Sequence, residues 1–429
     1  MQQNQFYLFQ TKRFLPLFIT QFLGAFNDNV FKNALVVLIT YDVGIRAGWE
    51  PQSLVLVAAG IFIFPFFLFS AMAGQYADKL EKSKLISKIK LVEIGLMIIA
   101  AIGFLISNLY LLMAVLFLMG SQSAFFGPIK YGILPDHLED DELIGSNGLI
   151  GMGTFLAILT GTIMGGLLIR TLFGVEIISI LLIAMAVAGY FASKNIPNAP
   201  SAAPDLKINY NFISETFNIL GKARAKRSVF VSMLAISWFW FFGATYLAQF
   251  PTFAKDVLGS NEEVVTLLLC MFSIGIGVGS VLCNKLVKGR VTARFVPIAS
   301  ILMTLFSVDL YFASLNAMTP ILSLASPLSG AEEFLSQPRN WRVIFDLFAI
   351  AVAGGVYIVP LYTIMQTQCE SSERSRIIAA NNILNALFMV VSAVGSMLLF
   401  MANFSLPEIF LTIAIINGFI PILIGKFLL

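Results

Sequence analysis

The sequence predicts an all-α membrane protein: twelve transmembrane helices in two pseudo-symmetric six-helix halves. Three observations carry this. Of 429 residues, 58% are hydrophobic and only 12% are charged, about half the ~25% charge of a soluble domain. The mean hydropathy of +0.87 leaves too few polar groups to cover a water-exposed globule of this size. Twelve apolar stretches follow one another, and features of the first six recur in order in the second six.

Each stretch reaches the ~20 largely apolar residues that a crossing needs. The first set lies near 14–41, 53–77, 86–107, 109–132, 143–170 and 174–193. Lys12 and Arg13 precede a first run too long for a signal peptide, so this span is expected to remain in the mature protein. Ser107-Asn108 makes a tight hairpin between the third and fourth spans. The second set lies near 229–256, 264–287, 294–314, 341–368, 376–402 and 407–428. Between the sets, residues 194–228 hold Pro197, Pro200, Pro204 and Asp205, then the basic cluster Lys222, Arg224, Lys226 and Arg227, and read as a linker. The predicted organisation is therefore an N-terminal half (1–193), a linker (194–228) and a C-terminal half (229–429). The stretch 315–340, with Pro320, Pro327 and Pro338, reads as a loop on the face opposite the linker.

Basic residues orient the chain. Counting Lys90 with the loop after the second span, 21 of the 27 Lys and Arg fall on the linker side. Five (Arg46, Arg170, Lys255, Arg339 and Arg342) fall on the other, and Lys32 lies within a span. Both termini are expected in the cytosol. The acidic turn 136–142 is either a solvated turn or a partner for the basic loops on the same side.

Several functions are excluded. A net charge of +3 without a basic tail gives no footprint for nucleic acid. Cys270, Cys283 and Cys369 have neither metal-ligand nor disulfide spacing, and read as buried or lipid-facing thiols. With His137 the single histidine, no metal site, cofactor site or catalytic constellation is expected, and the chain does not read as an enzyme.

Repetition links the halves. Pro128-Ile-Lys-Tyr-Gly-Ile-Leu near the end of span four is followed about twenty residues later by Ser146-Asn147. Pro360-Leu-Tyr-Thr-Ile-Met-Gln at the end of span ten is followed at similar spacing by Asn381-Asn382. The basic 79–90 loop has its counterpart at 285–294. Two such halves joined by a long linker are how a rocker-type transporter is built.

Ionisable residues at mid-bilayer are costly and mark functional positions. Span one offers Asn27-Asp28-Asn29 with Lys32 one turn on, and Asp28 and Lys32 share a helix face at i, i+4, so they can pair. The choice there is between a self-neutralised packing pair and a cavity site. Lys130 and Tyr131, at the end of span four, offer either a snorkelling cation or a cavity-lining one able to meet a phosphate. Glu93 and Asp309 read as packing or gating partners, and Arg342 and Asp346 as a local i, i+4 pair. Gln249, Gln366, Gln368, Asn147, Asn381, Asn382 and Asn385 supply interhelical hydrogen bonds.

Gly74-Gln-Tyr-Ala-Asp78-Lys79, after span two, resembles the inner-gate motif of the major facilitator superfamily. The resemblance implies that Asp78 grips a helix N-terminus or an arginine and holds one state closed, with Lys79 beside it.

Gln21-Phe-Leu-Gly-Ala-Phe-Asn-Asp-Asn29, Gly127-Pro-Ile-Lys-Tyr-Gly-Ile-Leu134 and Val359-Pro-Leu-Tyr362 resemble the lysophospholipid transporter branch of that superfamily. Glu373-Arg-Ser-Arg-Ile-Ile-Ala-Ala-Asn-Asn382 is similar to the version fused to an acyltransferase and an acyl-carrier ligase, enzymes not expected in this chain. The resemblance implies import of lysophospholipid, chiefly lysophosphatidylethanolamine, to the inner leaflet of a bacterial inner membrane. Membrane lipids would surround it, and a cytosolic acyltransferase would re-acylate its cargo. It matches Asp28 and Lys130 to charged cavity residues. Some relatives carry an arginine in span seven that is missing here, and Tyr246 or Gln249 is expected to substitute. Phe62, Phe64, Phe66 and Phe67 offer an apolar flank for an acyl chain. The alternative is a proton-coupled exporter of small amphipathic compounds, with Asp28 as proton carrier.

Overall fold

The computed structural model describes residues 4–40, 51–317 and 328–428. Arg46, Pro320 and Pro327 lie outside the described residues. The crossing helices of the first half are α1 (Leu15–Leu38), α2 (Pro51–Lys79), α3 (Lys82–Leu105), α4 (Leu109–Gly132), α5 (Asp140–Leu168) and α6 (Gly174–Ser193). Those of the second are α7 (Arg227–Thr252), α8 (Glu262–Val287), α9 (Val296–Ala317), α10 (Pro338–Gln368), α11 (Arg374–Met401) and α12 (Leu406–Asn417, continued by Ile420–Leu428). Among the described residues, ten helices are long and apolar enough to cross a membrane. The two below that mark are α1 and α3, interrupted by Asn27, Asp28, Asn29 and Lys32 and by Lys84, Lys88, Lys90 and Glu93.

Local chemistry sets the helix ends. Pro16 and Pro338 sit in the first turns of α1 and α10, where a missing N–H costs nothing. The Asn108 side chain caps α4 by accepting from Leu111 N–H at 3.0 Å, and Ser107 turns the predicted hairpin with φ of 50°. Glu81 caps α3 through the Ser83 and Lys84 N–H groups.

The packing repeats with an offset of six. In the first half α1 packs on α5, α2 on α4 and α3 on α6; in the second α7 packs on α11, α8 on α10 and α9 on α12. Two crossings between the halves, α5 with α8 and α2 with α11, obey the same pseudo-twofold relation. Glycines at i, i+4 let backbones touch where hydrophobicity alone gives no drive. A Cβ on Gly161 or Gly165 of α5 would come within 2.6 Å and 2.5 Å of α1 carbonyl oxygens. One on Gly279 of α8 would reach 2.0 Å from the Val352 oxygen of α10.

The linker is ordered. Its chain pairs with the end of α2 through Ala203 N–H on the Asp78 carbonyl at 2.9 Å, and it contains the helix Phe212–Ala225, capped by Asn211.

Candidate functional site

Between the halves lies a cavity of about 510 Å³. Its wall is polar along α1, α3 and α4 and apolar along α2. Asp28 is the fourteenth residue of α1, about 20 Å from the helix start at 1.5 Å per residue. Its Oδ2 accepts from Ser123 Oγ of α4 at 2.9 Å. Lys32 does not pair with Asp28; its Nζ lies 4.4 Å from the centroid of the Phe62 ring on α2. Lys130 Nζ sits 4.8 Å from the Tyr131 ring. Asn29 also lines the cavity, its amide spent on the Ala25 carbonyl one turn back at 2.7 Å.

A second ionic group was not legible from sequence. Lys90, counted above with a basic loop, is fully buried in α3 and belongs to the cavity wall. Its Nζ meets Glu93 Oε2 at 2.6 Å, which also accepts from Gln122 Nε2 at 2.9 Å. Gly24 makes the room: a Cβ there would sit 2.4 Å from Lys90 Nζ. Lys90 is the ninth residue of α3, about 12 Å into the helix, and that depth, with Glu93 one turn on, was the available signal.

The apolar wall is built from Val55, Ala58, Phe62 and Phe66 of α2 with Met389 of α11. Phe62 and Phe66 share the inward face at i, i+4. Phe64 is 53% exposed on the other face, and Phe67 packs against the core of the second half. Two more sequence candidates lie elsewhere. Tyr246 is fully buried, stacked on Phe410 at 4.4 Å and on Phe242 at 4.7 Å, and neither it nor Gln249 lines the cavity.

The floor is the stacked pair Tyr131–Tyr362, with centroids 4.4 Å apart and planes 8° apart. Trp240 Nε1 donates to the Tyr362 hydroxyl at 3.4 Å. Beneath it Asn147 Nδ2 donates to Gln366 Oε1 at 2.6 Å, and Gln366 Nε2 donates to the Tyr131 carbonyl at 3.0 Å. Below that, Asp78 accepts from the N–H groups of Ser375 and Arg376, at 3.0 and 3.2 Å, and from Arg376 Nε at 3.1 Å. The carboxylate therefore meets both a helix N-terminus and a guanidinium. Lys79 contributes its backbone carbonyl, which accepts from Ser201 Oγ at 2.7 Å.

The acidic turn is a partner rather than a solvated loop. Asp136 pairs with Lys82 at 2.8 Å and with Arg374 at 3.1 Å, and Glu142 pairs with Arg13 at 2.9 Å. Farther out, Lys222 of the linker helix pairs with Glu373 and holds that carboxyl below the usual carboxylate range. The bonds that join the two halves through Gln5, Asn147, Gln366, Arg374 and Asp78 all lie at this linker end. The cavity is sealed there and extends toward the level of Leu35 and Val55.

Two six-helix halves around an amphipathic cavity that is sealed at one end define an alternating-access transporter. The chain belongs to the Major Facilitator Superfamily, whose family model matches residues 17–331. It is 26% identical over 370 residues to a lysophospholipid transporter, LplT, of Escherichia fergusonii, covering 84% of this chain and 82% of that protein. The LplT of Salmonella newport matches at 26% over 369 residues, 84% of this chain and 81% of its own. Among solved structures, a bacterial homologue of the iron transporter ferroportin in its outward-facing state aligns with a TM-score of 0.69 at 13% identity, covering 96% of this chain and 99% of that one. The transporter FucP in its outward conformation aligns with a TM-score of 0.69 at 11% identity, over 97% and 99% of the two chains. At such identities these structures speak for the fold alone.

Proposed function

We propose that this chain carries lysophospholipid, chiefly lysophosphatidylethanolamine, from the outer to the inner leaflet of a bacterial inner membrane. The observation that carries the reading is the amphipathic cavity. Lys90 and Glu93 neutralise one another, leaving Asp28, Lys32 and Lys130 as one negative and two positive groups on the polar wall. A zwitterionic head group, with its phosphate toward the lysines and its ammonium toward Asp28, complements that arrangement. The single acyl chain has Phe62, Phe66 and Met389 beside it. The names of the LplT relatives support the same substrate class.

The positive-inside bias survives the removal of Lys90 from the count, and supports a cytosolic linker and cytosolic termini. On that orientation the sealed end faces the cytosol and the cavity takes its cargo from the outer leaflet. A cytosolic acyltransferase would then consume the delivered lysolipid.

The test is uptake of labelled lysophosphatidylethanolamine into proteoliposomes, compared with amphipathic drugs. Uptake of the lysolipid, lost in Asp28→Ala at unchanged expression, is the expected result. Wild-type uptake in that variant would remove Asp28 from the transport path, and transport of the drugs alone would overturn the substrate class.

A further inference from the structure

Arg342 and Asp346 sit at i, i+4 on α10 but do not pair with each other. Arg342 instead reaches across to α9, where its Nε and Nη2 donate to the two oxygens of Asp309, the first at 2.9 Å. Both side chains of that pair are accessible, at 45% and 41%. Asp346 lies behind them at 1% exposure, and neither of its carboxylate oxygens has a hydrogen-bond donor. The Asp309 carboxylate is its acidic neighbour across the α9–α10 contact, held by the arginine one turn before Asp346. Beside this group are two further buried hydroxyls, Tyr246 from α7 and Ser307 from α9. The aromatic rings Phe272 of α8 and Phe410 of α12 stack on Tyr246.

The charges do not balance. Two carboxylates share one guanidinium, and that guanidinium is committed to Asp309. A buried carboxylate with no donor is among the most unfavourable groups a protein can hold, and neighbouring carboxylates do not both ionise at one site. A single proton resolves both problems. Held by Asp346, it is donated to Asp309, so that one orphaned oxygen gains a bond and the buried group loses its charge.

We propose that Asp346 and Asp309 share one bound proton, which makes this cluster a proton-binding site in the second half, separate from the cargo cavity. The same helix connects it to the seal. From Asp346 to Gln366, α10 runs twenty residues as one helix that includes Pro360, about 30 Å at 1.5 Å per residue, and it carries Tyr362 on the way. Loss of the proton leaves two anions around one guanidinium where α9 packs on α10. That loosens the contact at one end of a helix whose other end holds the floor. The access route for the proton is the accessible Asp309–Arg342 pair, at the end of the molecule opposite the Asp78–Arg376 seal. None of this depends on the identity of the cargo.

The experiment is infrared spectroscopy of the full chain in liposomes, reading the carbonyl stretch of protonated carboxyl groups at neutral pH. The expected result is a band in the wild type that is lost in D346N. It is also lost in D309N, where the guanidinium is left with Asp346 as its one carboxylate and ionises it. No difference between wild type and D346N overturns the proposal, and so does a band that persists in D309N. Should D346N not be recovered folded, D309N alone decides. A second arm imposes ion gradients on lysophosphatidylethanolamine uptake. A proton gradient accelerates uptake in the wild type and not in D346N, whereas acceleration by sodium alone overturns the assignment of the ligand as a proton. If the lysolipid is not carried at all, the cargo reading fails while the infrared result still judges the proton site.

Discussion

Replacing Asp78 by Asn tests the seal at its most buried point. The Asp78 side chain is fully buried and Arg376 is 7% exposed. The helices around them are close enough that a Cβ on Gly74 would lie 2.7 Å from the Arg376 Cα. Asn keeps the shape and one acceptor oxygen but removes the charge, leaving the guanidinium with only its longer, 3.9 Å contact to Glu373. Breaking a buried pair in this way costs about 3–5 kcal/mol, and at ~1.4 kcal/mol per tenfold the lower figure already shifts the sealed–open balance by roughly a hundredfold. The exposed pair Lys222–Glu373, at 39% and 24%, is worth less than ~1 kcal/mol, or under about fivefold. The chain carries its own reporter. Cys369, at the end of α10, is 6% exposed, and burial pushes its thiol up to about 12, so in the sealed state it is neither reachable nor ionised. In a background lacking Cys270 and Cys283, the rate of Cys369 alkylation by a maleimide follows the open population when closing is faster than labelling. D78N should label roughly a hundredfold faster than wild type, and E373Q only a few-fold faster. Equal rates in the two variants would refute the view that burial, rather than the number of ion pairs, sets the strength of the seal.

Lys90→Met should destabilise the purified protein by about 3–5 kcal/mol, because Glu93 is left buried without its cation; thermal unfolding should show much of the loss recovered in K90M/E93Q. Gly148→Ala should keep the halves from closing at the linker end, since its Cβ would lie 2.4 Å from the Ser280 carbonyl oxygen, whereas at Gly151 the nearest atom is the rotatable Ser280 Oγ at 3.2 Å. Faster Cys369 alkylation in G148A but not in G151A is the expected pattern. The Glu373 carboxyl is held below its unfolded value, mainly by the hydrogen bond from Lys222, so its stabilisation is full above the ordinary carboxylate range and fades as the pH falls through it. E373Q should therefore be less stable than wild type near neutrality, by under ~1 kcal/mol, and indistinguishable from it in acid by the same unfolding assay.

The crossings were legible because lipid leaves little choice: a run of apolar residues of sufficient length has one structural solution. Asp28 and Lys130 were legible for the converse reason, as charges standing where charge is costly. Pairing was much less so. A sequence places residues on a helix face, but it does not say which neighbouring helix that face meets. Asp28 and Lys32 share a face and still turn to different partners, Ser123 and Phe62. Arg342 passes over Asp346 for Asp309 on α9. Lys90 was hidden by its company, since four lysines at 79–88 lead up to it and only its depth in α3 separates it from them. Tyr246 is the opposite error: a polar tip on an intramembrane helix suggests a cavity, yet its ring is held among Phe242, Phe272 and Phe410.

The linker grips both halves. Asn209 exchanges two hydrogen bonds with the Gln75 side chain, at 2.7 and 3.0 Å, while Lys222 of the helix that follows and Lys226 just after it hold Glu373 and Glu370. It is a strap rather than a slack tether. Each cycle of alternating access must therefore include a local unfastening of this segment, with its own opening free energy, drawn from water-facing contacts of low stability. The kinetic barrier of the transporter is thus set in part by a stretch of chain outside the bilayer, where salt concentration acts on its ion pairs without touching the cargo site.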